Sequence, residues 1–355
     1  MLYIALASKT RARKFCSRLL VLGFLTAPTL AVADEGGVSF WLPGQFGSLA
    51  AVPQVPGWSF AGIYYHTSVS AGGDVAAARQ VTIGAVNRTA QVSLNANLNS
   101  RADLGFLSGN YVFATPVLGG QFAVGLTGAA GYNRTSIDGT LTASIGNLTA
   151  TRTGSISDER GGFADLYPLA SLRWNSGVNN FMVYMTGDIP VGTYDSTRLA
   201  NFGIGHGAID GGVGYTYFSP QTGHEFSVVT GLTGNFTNQS TDYTNGIDWH
   251  LDWGASQFLT KQLQIGAVGY FYRQLTADSG APPILGDNKS QVIGVGPQIG
   301  YLFPIGDMQG YLNLKAYWEF DAQRRADGWN TWLTFAISPA ALPTPAAASR
   351  AMYIK

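Results

Sequence analysis

From Ile247 to Ser256 every second residue is apolar: Ile247, Trp249, Leu251, Trp253 and Ala255 alternate with Asp248, His250, Asp252, Gly254 and Ser256. The same rhythm returns at Leu263, Ile265, Ala267 and Phe271, set against Gln262, Gln264, Tyr270 and Tyr272. A third run sets Leu312, Leu314, Ala316, Trp318 and Phe320 against Tyr311, Asn313, Lys315, Tyr317, Glu319 and Asp321. A period of two is the mark of a strand with one apolar and one polar face. Charged residues are only 12% of the 355, about half the share of a soluble domain, while 46 glycines and 12% aromatics accompany them. A soluble β-sandwich also alternates, but it needs a charged exterior. One face fit for lipid and one for water is what a transmembrane barrel strand requires.

The first residues carry Lys9, Arg11, Arg13, Lys14 and Arg18, then an apolar run from Leu19 to Leu30, then Ala31-Val32-Ala33 before Asp34-Glu35. A basic stretch, a short apolar stretch and a small-x-small site read as a secretory signal peptide over 1–33, cleaved after Ala33. A dozen apolar residues are too few to span ~30 Å of hydrocarbon. Losing those five basic residues leaves 16 Lys+Arg against 21 Asp+Glu, a formal charge of −5, and removes Cys16, the single cysteine. The mature chain thus offers no disulfide and no thiolate chemistry. Net acidity without basic clusters argues against nucleic acid as a partner.

Compact turns stand at Thr115-Pro116, Asn175-Ser176-Gly177, Ser219-Pro220-Gln221, Leu259-Thr260-Lys261 and Pro304-Ile305-Gly306. Longer polar loops are expected near 71–90, 135–161, 193–206, 238–245, 277–289 and 323–328. Short turns on one side and long loops on the other match an outer-membrane barrel. The punctuation predicts an all-β, antiparallel transmembrane barrel of about twelve strands over 57–337, with short periplasmic turns and long extracellular loops. Its first two strands, near 57–70 and 91–115, alternate poorly. Trp249, Trp318 and Trp329 fall near the long-loop ends and Trp174 near a short turn, as aromatic girdles would place them. Residues 34–56, apolar but carrying Pro43, Gly44, Pro53 and Pro56, are either a luminal plug or a loosely packed lead-in. Residues 338–355, rich in alanine and proline, read as a flexible tail.

The runs DLYPLASLRW, GDIPVGTYD, GYLFPIGDMQGYLNLKAYWEFDAQRR and GWNTWLTFAI, with SFWLPGQFGSLAAVPQVPGW near the start, resemble the outer-membrane family named after a MetA pathway of phenol degradation. The resemblance covers most of 36–337. It implies an outer-membrane transporter for a small, poorly soluble compound, and it supplies no set of functional residues.

If the apolar register meets lipid, the other lines the lumen and places Asp165, Arg173, Asp210, Glu225, Asp248, His250, Asp252, Lys315, Glu319 and Asp321 inward. Seven acids against two permanent cations predict weak cation selectivity in an open pore; the alternative is a network of charges that fills the lumen. Twelve strands give a backbone diameter of roughly 24 Å, room for one small molecule once side chains are counted. Tyr167, Tyr184, Tyr270, Tyr272, Tyr311 and Tyr317 share the inward register, and Trp58, Phe60 and Tyr64 are candidates to join it. Flat tyrosine faces suit a planar apolar solute, or simply pack the interior. Asp248, His250 and Asp252 are too far apart along a strand to share a metal easily, so no metal site is expected.

Catalysis has little support. His224 and Ser227 fall on opposite faces of one strand, no G-x-S-x-G run occurs, and no phosphate loop or other cofactor motif is present. The expected function is passive passage of a small, hydrophobic or aromatic compound through a barrel seated in outer-membrane lipid. The alternative is a structural or adhesin-type barrel acting through its external loops.

Overall fold

The computed structural model describes residues 39–72, 91–145, 148–280 and 289–340. The proposed leader, the segment 73–90 and residues 341–355 of the tail lie outside the described residues. Among those described, all regular structure is strand: β1 (Gly57–Gly72), β2 (Gln91–Val112), β3 (Gln121–Ile145), β4 (Leu148–Ser176), β5 (Asn179–Asp188) and β6 (Ala208–Phe218) form the first half. β7 (His224–Asn235), β8 (Asp248–Phe258), β9 (Leu263–Gln274), β10 (Gln291–Ile305), β11 (Met308–Gln323) and β12 (Asp327–Pro339) complete it.

Every strand pairs with its sequence neighbours, and β1 closes on β12 from Phe60↔Ile337 to Ser70↔Asp327. Closure leaves no sheet edge in the membrane, where an unpaired peptide group would find no water. The result is an antiparallel twelve-stranded barrel, as the sequence predicts. Short turns join β4 to β5 and β10 to β11 through Gly177 (φ +66°) and Gly306 (φ +58°), in a left-handed backbone that glycine adopts without a Cβ clash. Both barrel ends of the chain, Gly57 and Pro339, lie at this short-turn rim.

The outer surface carries an exposed apolar belt including Val183, Val213, Leu232, Ile265, Leu314 and Leu333. Trp318 and Trp329 flank it at the long-loop end, and Trp58 and Tyr301 at the short-turn end. Exposed apolar side chains ringed by aromatics are stable only against hydrocarbon, which places the barrel in the bacterial outer membrane.

Three sequence expectations change. Trp58, Phe60 and Tyr64 point outward, with 57%, 53% and 47% of their surface exposed; their register partners are the belt positions of β2 and β12. Residues 135–145 and 148–161, expected within a loop, are the far halves of β3 and β4, paired from Arg134↔Glu159 to Ile145↔Leu148. Threonine- and serine-rich polar sequence looks like loop, yet it suits a two-sided solvated ribbon. Finally, Asp321 leaves the inward register: its φ is +51°, a register shift lies between Gln291 and Ile293 opposite it, and Ala322 packs inward instead. A bulge adds one residue and reverses the faces beyond it.

Candidate functional site: the barrel lumen

Ser39 to Pro56 runs inside the barrel, with Trp41 and Ala51 fully buried. At its centre Pro43-Gly44 turns the chain, Gly44 at φ +87°. The backbone N–H groups of Gly44 and Phe46 donate to Asp252 Oδ1 and Oδ2 at 3.0 and 3.1 Å. From β11, with β9 and β10 between it and β8 in the ring, Lys315 Nζ donates to the carbonyls of Gly44, Gln45 and Phe46 at 2.5, 3.3 and 3.3 Å. One turn is thus held by its amides on an anion and by its carbonyls on a cation. Charge-assisted bonds of this kind are roughly twice as strong as neutral ones.

Further contacts follow the segment toward the short-turn rim. Trp41 stacks on His250 at 3.5 Å between ring centroids, and Phe46 meets Tyr184 at 5.5 Å. Ser48 Oγ bonds Ser256 Oγ at 3.2 Å and accepts from Gln298 Nε2 at 2.6 Å. Leu49 N donates to Glu225 Oε1, Ala51 N to Thr216 Oγ1, and Gln54 N to Gln121 Oε1. Small residues permit this approach. A Cβ on Gly254 would lie 2.7 Å from Ser48 N, and one on Gly44 would lie 2.9 Å from the Tyr317 ring.

The inward acids have partners of their own. Asp210 accepts from Thr233 at 2.6 Å and pairs with His250 Nε2 at 2.8 Å. Glu225 also accepts from Ser227 and Ser256. Asp248 accepts from Asn235, and half-buried Glu319 from the Tyr270 hydroxyl at 2.6 Å. Asp165 accepts Gly192 N and Ile204 N at 2.6 and 2.9 Å, which ties the β5–β6 loop down onto the barrel. In that loop burial pushes the His206 imidazole below the ordinary histidine range. Asp248, His250 and Asp252 each turn to a different partner, and among the described residues no three His, Cys, Asp or Glu gather into a metal-binding group. Exposed Asp321 accepts from Gln291 at the rim.

The six tyrosines do face inward. Tyr184, Tyr270, Tyr272 and Tyr317 are buried, and Tyr167 and Tyr311 partly so. Tyr167, Tyr184 and Tyr317 are spent on the internal segment, through Phe40, Trp41 with Phe46, and the Gly44 carbonyl. Tyr270 packs on Tyr317 at 4.9 Å, and Arg325 lies 4.7 Å over Tyr272.

Sequence reasoning missed an apolar cluster on the other wall. Tyr65, Phe106 and Trp332 pack together, with ring centroids 4.5 and 6.2 Å from Trp332, and Ile63 and Leu104 lie against them. β1 and β2 alternate poorly because this part of the lumen is apolar too, so both faces of the strands are. Trp332 was legible: it stands three residues after outward Trp329, hence on the opposite face. His66 was missed as well; it bonds Asp103 at 2.7 Å on the outer surface beside Trp329. His224 is exposed and Ser227 buried, on opposite faces of β7.

A model of the family described as "Putative MetA-pathway of phenol degradation" matches residues 61–335. No curated protein matches the chain. Among solved structures, the COG4313 outer membrane channel from Pseudomonas putida F1 superposes with a TM-score of 0.57 at 12% identity, over 83% of this chain and 100% of that one. A Pseudomonas aeruginosa FadL homologue gives 0.35 at 10% identity, over 85% of this chain and 95% of that one. The likeness to the Pseudomonas putida channel is one of fold.

Proposed function

Because the chain belongs to this phenol-degradation family and folds as a channel-type outer-membrane barrel, we propose that it passes a small hydrophobic or aromatic compound down its gradient, with its own N-terminal segment as a resting plug. The observation that carries this reading is the double hold on the Gly44–Phe46 turn by Asp252 and Lys315. An open water-filled pore has no need of a clamped segment across it. A path for apolar solutes gains from one, because it stops ion leakage while the Tyr65–Phe106–Trp332 wall offers apolar contact. The plug is held by hydrogen bonds and ring contacts and not by a covalent tie, so a solute that favours the unplugged form shifts the balance.

Purified mature protein in a planar bilayer tests this. Wild type is expected to be nearly silent, and Asp252→Ala to show frequent conducting steps with weak cation preference. Liposomes carrying the protein should also take up phenol faster than empty ones. Large, permanent steps from the wild type, or phenol uptake equal to that of empty liposomes, would overturn the proposal.

The adhesin reading has one observation in its favour. β3 and β4 run 25 and 29 residues, and β4 from Leu148 to Gly162 pairs with β3 alone, beyond any register with β5. Trimming the ribbon at 136–157 separates the two: surface adhesion would be lost under the second reading, and uptake retained under the first.

A further inference from the structure

Arg173 is an inward cation on β4 with no hydrogen bond to residues 39–56 among the described residues. Its side chain is buried, with 8% exposure; Nη1 donates to Ser171 Oγ at 2.8 Å and Nε has no partner. The ion pairs His66–Asp103, Arg198–Asp158 and His250–Asp210 all lie elsewhere and do not neutralise it. Lys315, by contrast, is wrapped by three carbonyls. A buried guanidinium without a counter-charge is costly, and a chain that keeps one has a use for it.

That side chain borders a cavity of about 180 Å³ near the short-turn rim. Ser171, Asn110 and Gln54 supply its other polar groups, and Ala123 and Leu169 part of its apolar wall. The end of the plug closes it: Gln54 N donates to Gln121 Oε1 at 2.6 Å, and Gln121 Nε2 donates back to the Gln54 carbonyl. The space is below the ~300 Å³ of a drug-sized pocket, so it suits a body of one ring.

We infer that this cavity is an exit-side binding subsite for a one-ring or short-chain organic carboxylate, whose carboxylate pairs with the Arg173 guanidinium. The guanidinium presents a planar fork of donors that fits a carboxylate, and the remaining wall is apolar enough to hold an uncharged body and exclude a bare hydrated ion. Solute leaving the lumen on this side would pass Gln54, so the plug's end covers the subsite. The inference rests on the passive-uptake reading above and narrows its solute class to acids.

The test uses folded, purified mature protein and titration calorimetry with benzoate, its neutral analogue benzamide, and chloride. Benzoate is expected to saturate one site, with benzamide and chloride weaker by about tenfold or more. Arg173→Gln should lose benzoate by a similar factor. Ala123→Leu, which fills the cavity and leaves the guanidinium in place, should lose it too and decides the matter if Arg173→Gln does not fold. Absence of saturable benzoate binding to folded wild type overturns the inference. So does equal binding of benzamide or of chloride, the latter showing a plain anion site, and so does wild-type affinity in Ala123→Leu. Flux of phenol and of benzoate into liposomes from the same preparation separates the two claims: phenol flux without benzoate binding sinks the subsite alone, and benzoate binding without flux of either solute sinks the uptake reading and with it the exit-side role of the site.

Discussion

Asp252 and Lys315 are ordinary lumen charges by position and unusual by what they hold. Asp252→Ala removes the acceptor of two amides, and charge-assisted bonds of this kind contribute about 2 kcal/mol, on the order of thirtyfold in an equilibrium constant. Single-channel recording should therefore show open probability rising by about that factor, while Asp248→Ala, whose carboxylate takes Asn235 on the wall, leaves it near the wild-type value. Gly254 makes the complementary case through space alone. With Ser48 N only 2.7 Å from where a Cβ would stand, Gly254→Val pushes the segment off its wall. Limited proteolysis should then cut near residues 45–50 in the variant and spare the wild type. In the sequence, both faces of β8 were legible from alternation, and His250 and Asp252 fell on the correct one. Their partners were not legible, because Gly44 and Asp252 are 208 residues apart and nothing local records that distance.

At the scale of elements, the internal N-terminal segment and the β5–β6 loop are held largely by side-chain bonds and not by strand pairing. Ser48 and Ser256 face each other between the internal segment and β8, and the only cysteine of the sequence is Cys16, in the proposed leader. The double variant Ser48→Cys, Ser256→Cys is expected to form a disulfide on oxidation, since hydroxyls in contact bring the Cβ atoms within bridging range. Oxidised protein should stop phenol uptake and reduction should restore it; uptake indifferent to the bridge would mean that the segment does not move. The β5–β6 loop answers to pH. His206 has its folded-state value lowered by burial, so the neutral form is the folded one. Its contribution to loop stability is complete above an unfolded value of about 6.5 and is lost as pH falls below it. Hydrogen exchange of the 192–204 amides, corrected for intrinsic rate, should accelerate between about pH 7.5 and pH 5, and His206→Asn should flatten that change. The strands themselves were readable where one face is polar, most clearly β8, β9 and β11. They were hardest to read in β1 and β2, where a lumen apolar on this side removes the contrast between faces. The β3–β4 ribbon failed for the opposite reason: with water on both faces, a strand shows no apolar period at all.

For the whole molecule, the environment of the outer surface sets the stability. Leu314 lies in the belt beside Ile299 and Leu333, and Trp318 lies at the long-loop girdle. Leu314→Arg should cost about 2–4 kcal/mol in denaturant unfolding from lipid vesicles, and Trp318→Arg nearer 0–1 from the charge itself, because the penalty depends on depth. Equal costs at both positions would contradict the placement of the membrane.

The sequence by itself determined the class: a period of two, scarce charge and alternating short and long connections admit a closed barrel in lipid and little else. Each of those signals is local, read within one strand or one turn. The seating of residues 39–56 in the lumen, their hold by Asp252 and Lys315, the partners of the lumen acids and the unneutralised Arg173 were decided only by tertiary structure. They depend on curling the sheet into a ring, which turns the inner faces of β8 and β11, with β9 and β10 between them, toward the same stretch of residues 39–56. Alternation says which way a side chain points, and only closure says what stands in front of it.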